Sequence, residues 1–330
     1  MRTESISLTS DDFLSWTLRK PVQSLAVPHL AILCGDWSFG LLPYCGPGRV
    51  DDLWESERSF LDLFSQYLTR QGFFTLSLSL PDGSHAYPGD LVLANLAGVG
   101  GLFSALKGLD SPITWNPSQM ICIGHGLGGY VLCQLAAYGI RPAAFIFAGG
   151  VYSDYEVILS QKYLPLIQME CDTTDNDGFT SLDSESVLIA KSLGVIFHAA
   201  RKGRTRIHIN NGNMPLYIPI YPMIFTGIEM PRCMFRYVTS PTFIIHGSAD
   251  YDVSLWNAAS IEQSVRQKVL TPERLILPDL DHWFRPVPKK PGDQIRERLN
   301  GKCFNHETDP RIFIESVSFI NRILTLGGKG

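Results

Sequence analysis

The residues with the most chemical potential stand in a glycine-rich turn near the middle of the chain. Ile121-Cys122-Ile123 runs straight into Gly124-His125-Gly126-Leu127-Gly128-Gly129. A turn of this kind between an apolar strand and a helix can hold phosphates on backbone N–H groups. A phosphate-binding P-loop also needs Lys-Ser or Lys-Thr after its last glycine, and neither follows here. The dinucleotide fingerprint G-x-G-x-x-G fits by letter but fails on context. The strand lies late in the chain, and the segment about 20 positions on, where a ribose-binding acid belongs, is the apolar run Ala143–Phe147.

Other chemistry-bearing groups read as structural. Cys34 ends an apolar run with no acidifying partner evident, so it reads as an inert buried thiol, with a substitute nucleophile as its functional alternative. Thr173-Thr174-Asp175-Asn176-Asp177-Gly178 resembles part of a calcium loop. It starts on Thr where Asp is needed, and Ser184 stands where a bidentate Glu belongs, so it reads as a solvated acidic loop. The basic knot Arg201-Lys202-Gly203-Arg204-Thr205-Arg206 reads as a solvated face, with the steering of an anionic substrate as its functional alternative.

The elements that must position these groups follow from hydrophobic pattern. The chain has 330 residues, 45% hydrophobic and 18% charged, which excludes wholesale disorder. A net charge of −4 argues against a dedicated nucleic-acid binder, which needs a basic excess. No apolar run reaches about 18 residues, and the first residues lack an apolar core, so neither a membrane span nor a signal peptide is expected. Seven cysteines, an odd number with no C-x-x-C, argue against a disulfide framework or a structural zinc site and for a reducing cytoplasmic setting.

Short apolar runs predict strands at 29–34, 73–80, 120–123, 143–147, 243–245 and 275–277. Longer patterns predict helices at 53–70, 90–109, 127–137, 255–269 and 311–324. In the first of these, Phe60, Leu61, Phe64 and Leu68 fall on one face. Strand alternating with helix predicts an α/β fold, a mostly parallel sheet with helices on both faces. Residues 151–237 break the alternation. They carry the acidic stretch, the basic knot and the proline-punctuated apolar run Met214–Met230, and are read as an inserted lid in a core of 1–150 and 238–330.

The segment Gly124-His125-Gly126-Leu127-Gly128 resembles the nucleophile elbow, G-x-S-x-G, of the α/β-hydrolase superfamily. Its outer glycines are in place, and Gly126 stands where the serine belongs. The resemblance continues in the family's chain order. Ile245-His246-Gly247-Ser248-Ala249-Asp250 is similar to the strand end that carries the acid, which implies Asp250. Pro278-Asp279-Leu280-Asp281-His282 is similar to the late loop that carries the histidine, which implies His282. Leu33-Cys34-Gly35-Asp36 takes the place of the oxyanion loop, with Cys34 in place of the usual histidine. The resemblance thus implies Leu127 and Asp36 as oxyanion N–H donors, with no metal or organic cofactor. In isolation, Asp250 reads as a cap for a helix starting near Ser254, and His282 as a loop histidine on Trp283. His125 and His246 are read as structural.

Glycine carries no nucleophile, and losing the serine of a comparable triad costs about 10⁶ in turnover. Acyl-enzyme chemistry through residue 126 is therefore excluded. Three readings stand. The protein acts on a small, largely apolar carbonyl compound or ester with His282 as base and Asp250 as its orienter, as a hydrolase, lyase or cyclase. Alternatively, it is a non-catalytic pseudohydrolase that binds a ligand or partner. Or Gly126 marks a variant of an ordinary serine hydrolase. The expected partner is a small molecule, with no nucleic acid and no membrane. The loop position of His282 predicts that its truncation leaves stability little changed.

Overall fold

The computed structural model describes residues 4–9, 15–25, 27–35, 49–79, 116–154, 156–157, 160–161, 184–204, 206–211, 214–219, 231–266, 272–287 and 307–327. Four continuous apolar runs form the middle of the main sheet: β3 (Leu30–Cys34), β5 (Met120–His125), β6 (Ala144–Ala148) and β9 (Thr242–Gly247). Every residue in them is buried, as expected for parallel strands covered on both faces. With β1 (Glu4–Thr9), β2 (Ser15–Lys20), β4 (Phe74–Ser79) and β10 (Glu273–Leu277), the order is β1-β2-β4-β3-β5-β6-β9-β10. Only β2 runs against its neighbours. The β1–β2 ribbon was not legible in the sequence, because its alternating Ser and Thr positions give no apolar run.

Five helices of eight residues or more are described: α1 (Arg49–Arg70), α2 (Gly128–Ala137), α3 (Ser184–Arg201), α4 (Trp256–Arg266) and α5 (Arg311–Gly327). Neighbours along a strand point to opposite faces. His125 meets Phe60 of α1 at 4.5 Å between ring centroids, whereas Gly124 lies against Gly129 of α2. The sheet therefore has helix on each side. Phe60, Leu61, Phe64 and Leu68 are all buried, as their spacing predicts, and Phe64 packs edge-on against Phe313 of α5. The helix expected at 90–109 lies outside the described residues.

Between β6 and β9 the chain leaves the main sheet. It carries α3 and a separate antiparallel hairpin, β7 (Arg206–Asn211) with β8 (Met214–Pro219). The acidic loop expected at 173–178 lies outside the described residues. Among the described residues no helix is long and apolar enough to cross a membrane.

Candidate active site at the carboxyl ends of the strands

The elbow begins where β5 ends. Gly126 takes φ +52°, the left-handed region that costs an L side chain roughly 1–2 kcal/mol. Its N–H donates to Ala148 O at 3.0 Å, and its carbonyl accepts from Gly129 N–H at 3.3 Å. The two outer glycines are required by contact. A Cβ on Gly124 would sit 2.4 Å from Gly129 Cα, and one on Gly128 would sit 2.1 Å from Cys34 O. Strand, turn and helix can cross this closely only without side chains. Leu127 is buried in the turn, and its N–H has no backbone acceptor among the described residues. Asp36, the other expected donor, lies outside the described residues.

The expected acid and histidine meet on the loops that follow β9 and β10. Asp250 Oδ2 lies 2.8 Å from His282 Nδ1, and both residues are buried. The other carboxylate oxygen, Oδ1, accepts from Val253 N–H at 2.8 Å. Asp250 thus closes a turn ahead of α4 rather than capping the helix itself, which starts at Trp256, and holds the histidine as well. His246 Nε2 lies 2.8 Å from Val253 O and 3.3 Å from Asp250 Oδ2. Burial pushes the Asp250 carboxyl up. The charge of His282 and hydrogen bonds from His246 and His282 outweigh this and hold it well below the ordinary carboxylate range. Asp250 is therefore ionised at neutral pH, and a carboxylate on Nδ1–H leaves the imidazole lone pair on Nε2.

The loop that bears His282 is built rather than slack. A Cβ on Gly247 would fall 2.2 Å from Leu280 O, so the loop rests directly on the end of β9. Ala249 N–H donates to Leu280 O at 3.0 Å, and Asp279 N–H to Ser248 Oγ at 2.9 Å. His125 Nε2 lies 2.8 Å from the carbonyl of His282, and the two imidazoles pack at 4.3 Å. Trp283 meets the same ring edge-on at 5.4 Å. A Cβ on Gly149 would sit 3.0 Å from His282 Nδ1. The expectation that truncating His282 leaves stability unchanged is corrected by this packing.

Three contributors were not singled out as site residues by sequence reasoning. His125 and His246 were read as structural, and they are, but both touch the dyad. Gly149 was not singled out, although a Gly-Gly pair directly after an apolar strand was the available signal. Cys34 is fully buried, and burial pushes its thiol far above the ordinary range, which removes it as a nucleophile. Among the described residues no three His, Cys, Asp or Glu side chains are grouped to hold a metal ion.

Solved structures share this arrangement of strands and helices. An esterase from Pyrococcus furiosus superposes with TM-score 0.53 at 11% identity, covering 97% of this chain and 91% of that one. The esterase domain of a Rhodothermus marinus protein superposes at 0.48 with 15% identity, covering 93% and 99%. The chain has the α/β-hydrolase fold. No family model and no curated protein matches the sequence. Within the α/β-hydrolase fold, the elbow follows β5, and Asp250 and His282 follow β9 and β10 in chain order.

Proposed function

We propose that the protein is a hydrolase-like enzyme in which Asp250 and His282 form a general base that works without a serine nucleophile. The substrate class is a small, largely apolar ester or carbonyl compound. The observation that carries this reading is the buried 2.8 Å contact between His282 Nδ1 and Asp250 Oδ2. In direct hydrolysis, His282 Nε2 takes a proton from water as the water oxygen adds to the acyl carbon. The carbonyl electron pair moves onto its oxygen, which the N–H groups of Leu127 and Asp36 would stabilise. Collapse expels the alkoxide, which takes the proton back from the imidazolium. An elimination or cyclisation would use the same base. Without a covalent intermediate, oxyanion stabilisation and binding can supply about 10³–10⁴ over water.

The test is turnover of a panel of short activated esters, with intact mass recorded during turnover. The wild type should hydrolyse at least one ester with no acyl adduct, and His282→Ala should abolish that turnover. Equal turnover in both proteins would remove His282 from the mechanism. A second reading, a non-catalytic binding module, is favoured by the left-handed conformation of Gly126. There glycine is the stabilising choice once catalysis is not required. Saturable binding of the same esters with no turnover would favour it.

A further inference from the structure

A cavity of about 870 Å³ opens between α3 and β7, and none of its described lining residues belongs to the candidate active site. One wall is a single face of α3, where Val195, His198, Ala199 and Lys202 recur at helical spacing. The other is the chain that leaves the helix, with Arg204, Arg206, Ile207 and His208. None of these described lining residues is acidic.

The three fixed cations are not consumed by local structure. Helix α3 ends in a backbone cap: Gly203 N–H donates to Ala200 O at 2.9 Å and Arg204 N–H to Ala199 O at 3.1 Å. The last carbonyls are thereby satisfied without side chains. Neighbouring cations have acids: Arg201 pairs with Glu156, and Arg232 with Asp154 at 3.3 Å. Lys202, Arg204 and Arg206 pair with no carboxylate among the described residues, and all three are exposed. A helix C-terminus carries about half a negative charge, so three positive charges exceed what the macrodipole can use. They stand together on a chain whose net charge is −4.

We propose that this groove binds a phosphate-bearing amphiphile, through the phosphate on Lys202, Arg204 and Arg206 and the apolar part on the groove wall. A carboxylate would leave two cations unneutralised, whereas a phosphomonoester dianion accepts from two guanidinium forks and an ammonium together. The volume lies in the range of drug-sized ligands and far exceeds one phosphate. Val195 is 61% exposed, and with Ala199 and Ile207 it supplies apolar surface for a chain or ring. The phosphate can come from a free molecule or from a lipid headgroup in a membrane. Nucleic acid is disfavoured, because no aromatic side chain among the described lining residues offers a base a stacking surface beyond the two histidines.

The test uses the whole protein and does not depend on catalysis. Titrations employ dihexanoyl phosphatidic acid and dihexanoyl phosphatidylcholine below their micelle thresholds, inorganic phosphate, a single-stranded oligonucleotide, and phosphatidylcholine vesicles with or without phosphatidic acid. Expected is saturable binding of the short phosphatidic acid, competed by phosphate and weakened about tenfold or more by Arg204→Glu with Arg206→Glu. Lys202→Glu should weaken it to a smaller extent, and the thermal midpoints should stay at the wild-type value. Binding to the monomeric lipid identifies a free molecule as ligand. Binding only to vesicles that contain phosphatidic acid identifies the headgroup. Both support the site. No binding to any phosphatidic acid probe, equal binding of dihexanoyl phosphatidylcholine, undiminished binding in both variants, or tighter binding of the oligonucleotide would each overturn it.

Discussion

The two halves of the candidate active site are furnished unequally. Around Asp250 and His282 every element is furnished: a carboxylate bonded through both oxygens, an imidazole clamped at its ring and carbonyl, and glycines where a side chain would collide. At the glycine turn the backbone is equally well built, with a left-handed residue and two glycines in enforced contact, but residue 126 carries no side chain. The contrast teaches that the conformation of the elbow is set by packing of β5 against α2 and β3. On the proposed reading a side chain at residue 126 would contribute little to that packing, because the turn is already fixed by its neighbours.

That separation can be tested by degrees. The largest effect is expected from Gly128→Ala, which drives a Cβ to 2.1 Å from the backbone oxygen of Cys34. Overpacking against backbone should cost about 3 kcal/mol or more, read as a fall in the urea midpoint. An unchanged midpoint would mean that the crossing is looser than described. His282→Ala should cost about 2–4 kcal/mol, because it strands the buried Asp250 carboxylate. A loss under a few tenths of a kcal/mol in the same assay would put His282 back among slack loop residues. Gly126→Ser should cost only about 1–2 kcal/mol, the penalty of a side chain at φ +52°.

A further effect concerns pH. Burial pushes the Asp281 carboxyl up to about 6, with Arg285 pulling the other way. An ordinary aspartate titrates near 4, so between about 4 and 6 the folded protein holds a proton that the unfolded chain has lost. The contribution of Asp281 is therefore full below about 4 and is lost as pH rises through about 6. Asp281→Asn keeps an oxygen for Arg285 N–H and removes the titration. Its stability relative to wild type should rise across that window in urea titrations at stepped pH. A constant difference would contradict the shift.

Much of this was legible in the sequence, for identifiable reasons. Buried parallel strands such as Ile121–Ile123 and Phe243–Ile245 show as unbroken apolar runs, and close crossings show as glycines. The resemblance in chain order singles out Gly126, Asp250 and His282, and the structure brings the last two within 2.8 Å of each other. The contacts of His125 and His246 were not legible, because a histidine aimed at a carbonyl or carboxylate from another element has no local pattern. Helix α3 and the β7–β8 hairpin were also missed. Helix α3 begins at the end of an acidic stretch, and β8 lies within the proline-punctuated run, where prolines mask a strand pattern.

The central claim is that elbow and dyad stand in working geometry, short of one hydroxyl. Fluorophosphonate labelling of Gly126→Ser, read by intact mass and peptide mapping, tests it most directly. The wild type should stay unlabelled, Gly126→Ser should take one adduct on the peptide that carries position 126, and His282→Ala added to it should abolish the adduct. A folded Gly126→Ser protein that remains unlabelled would contradict the account.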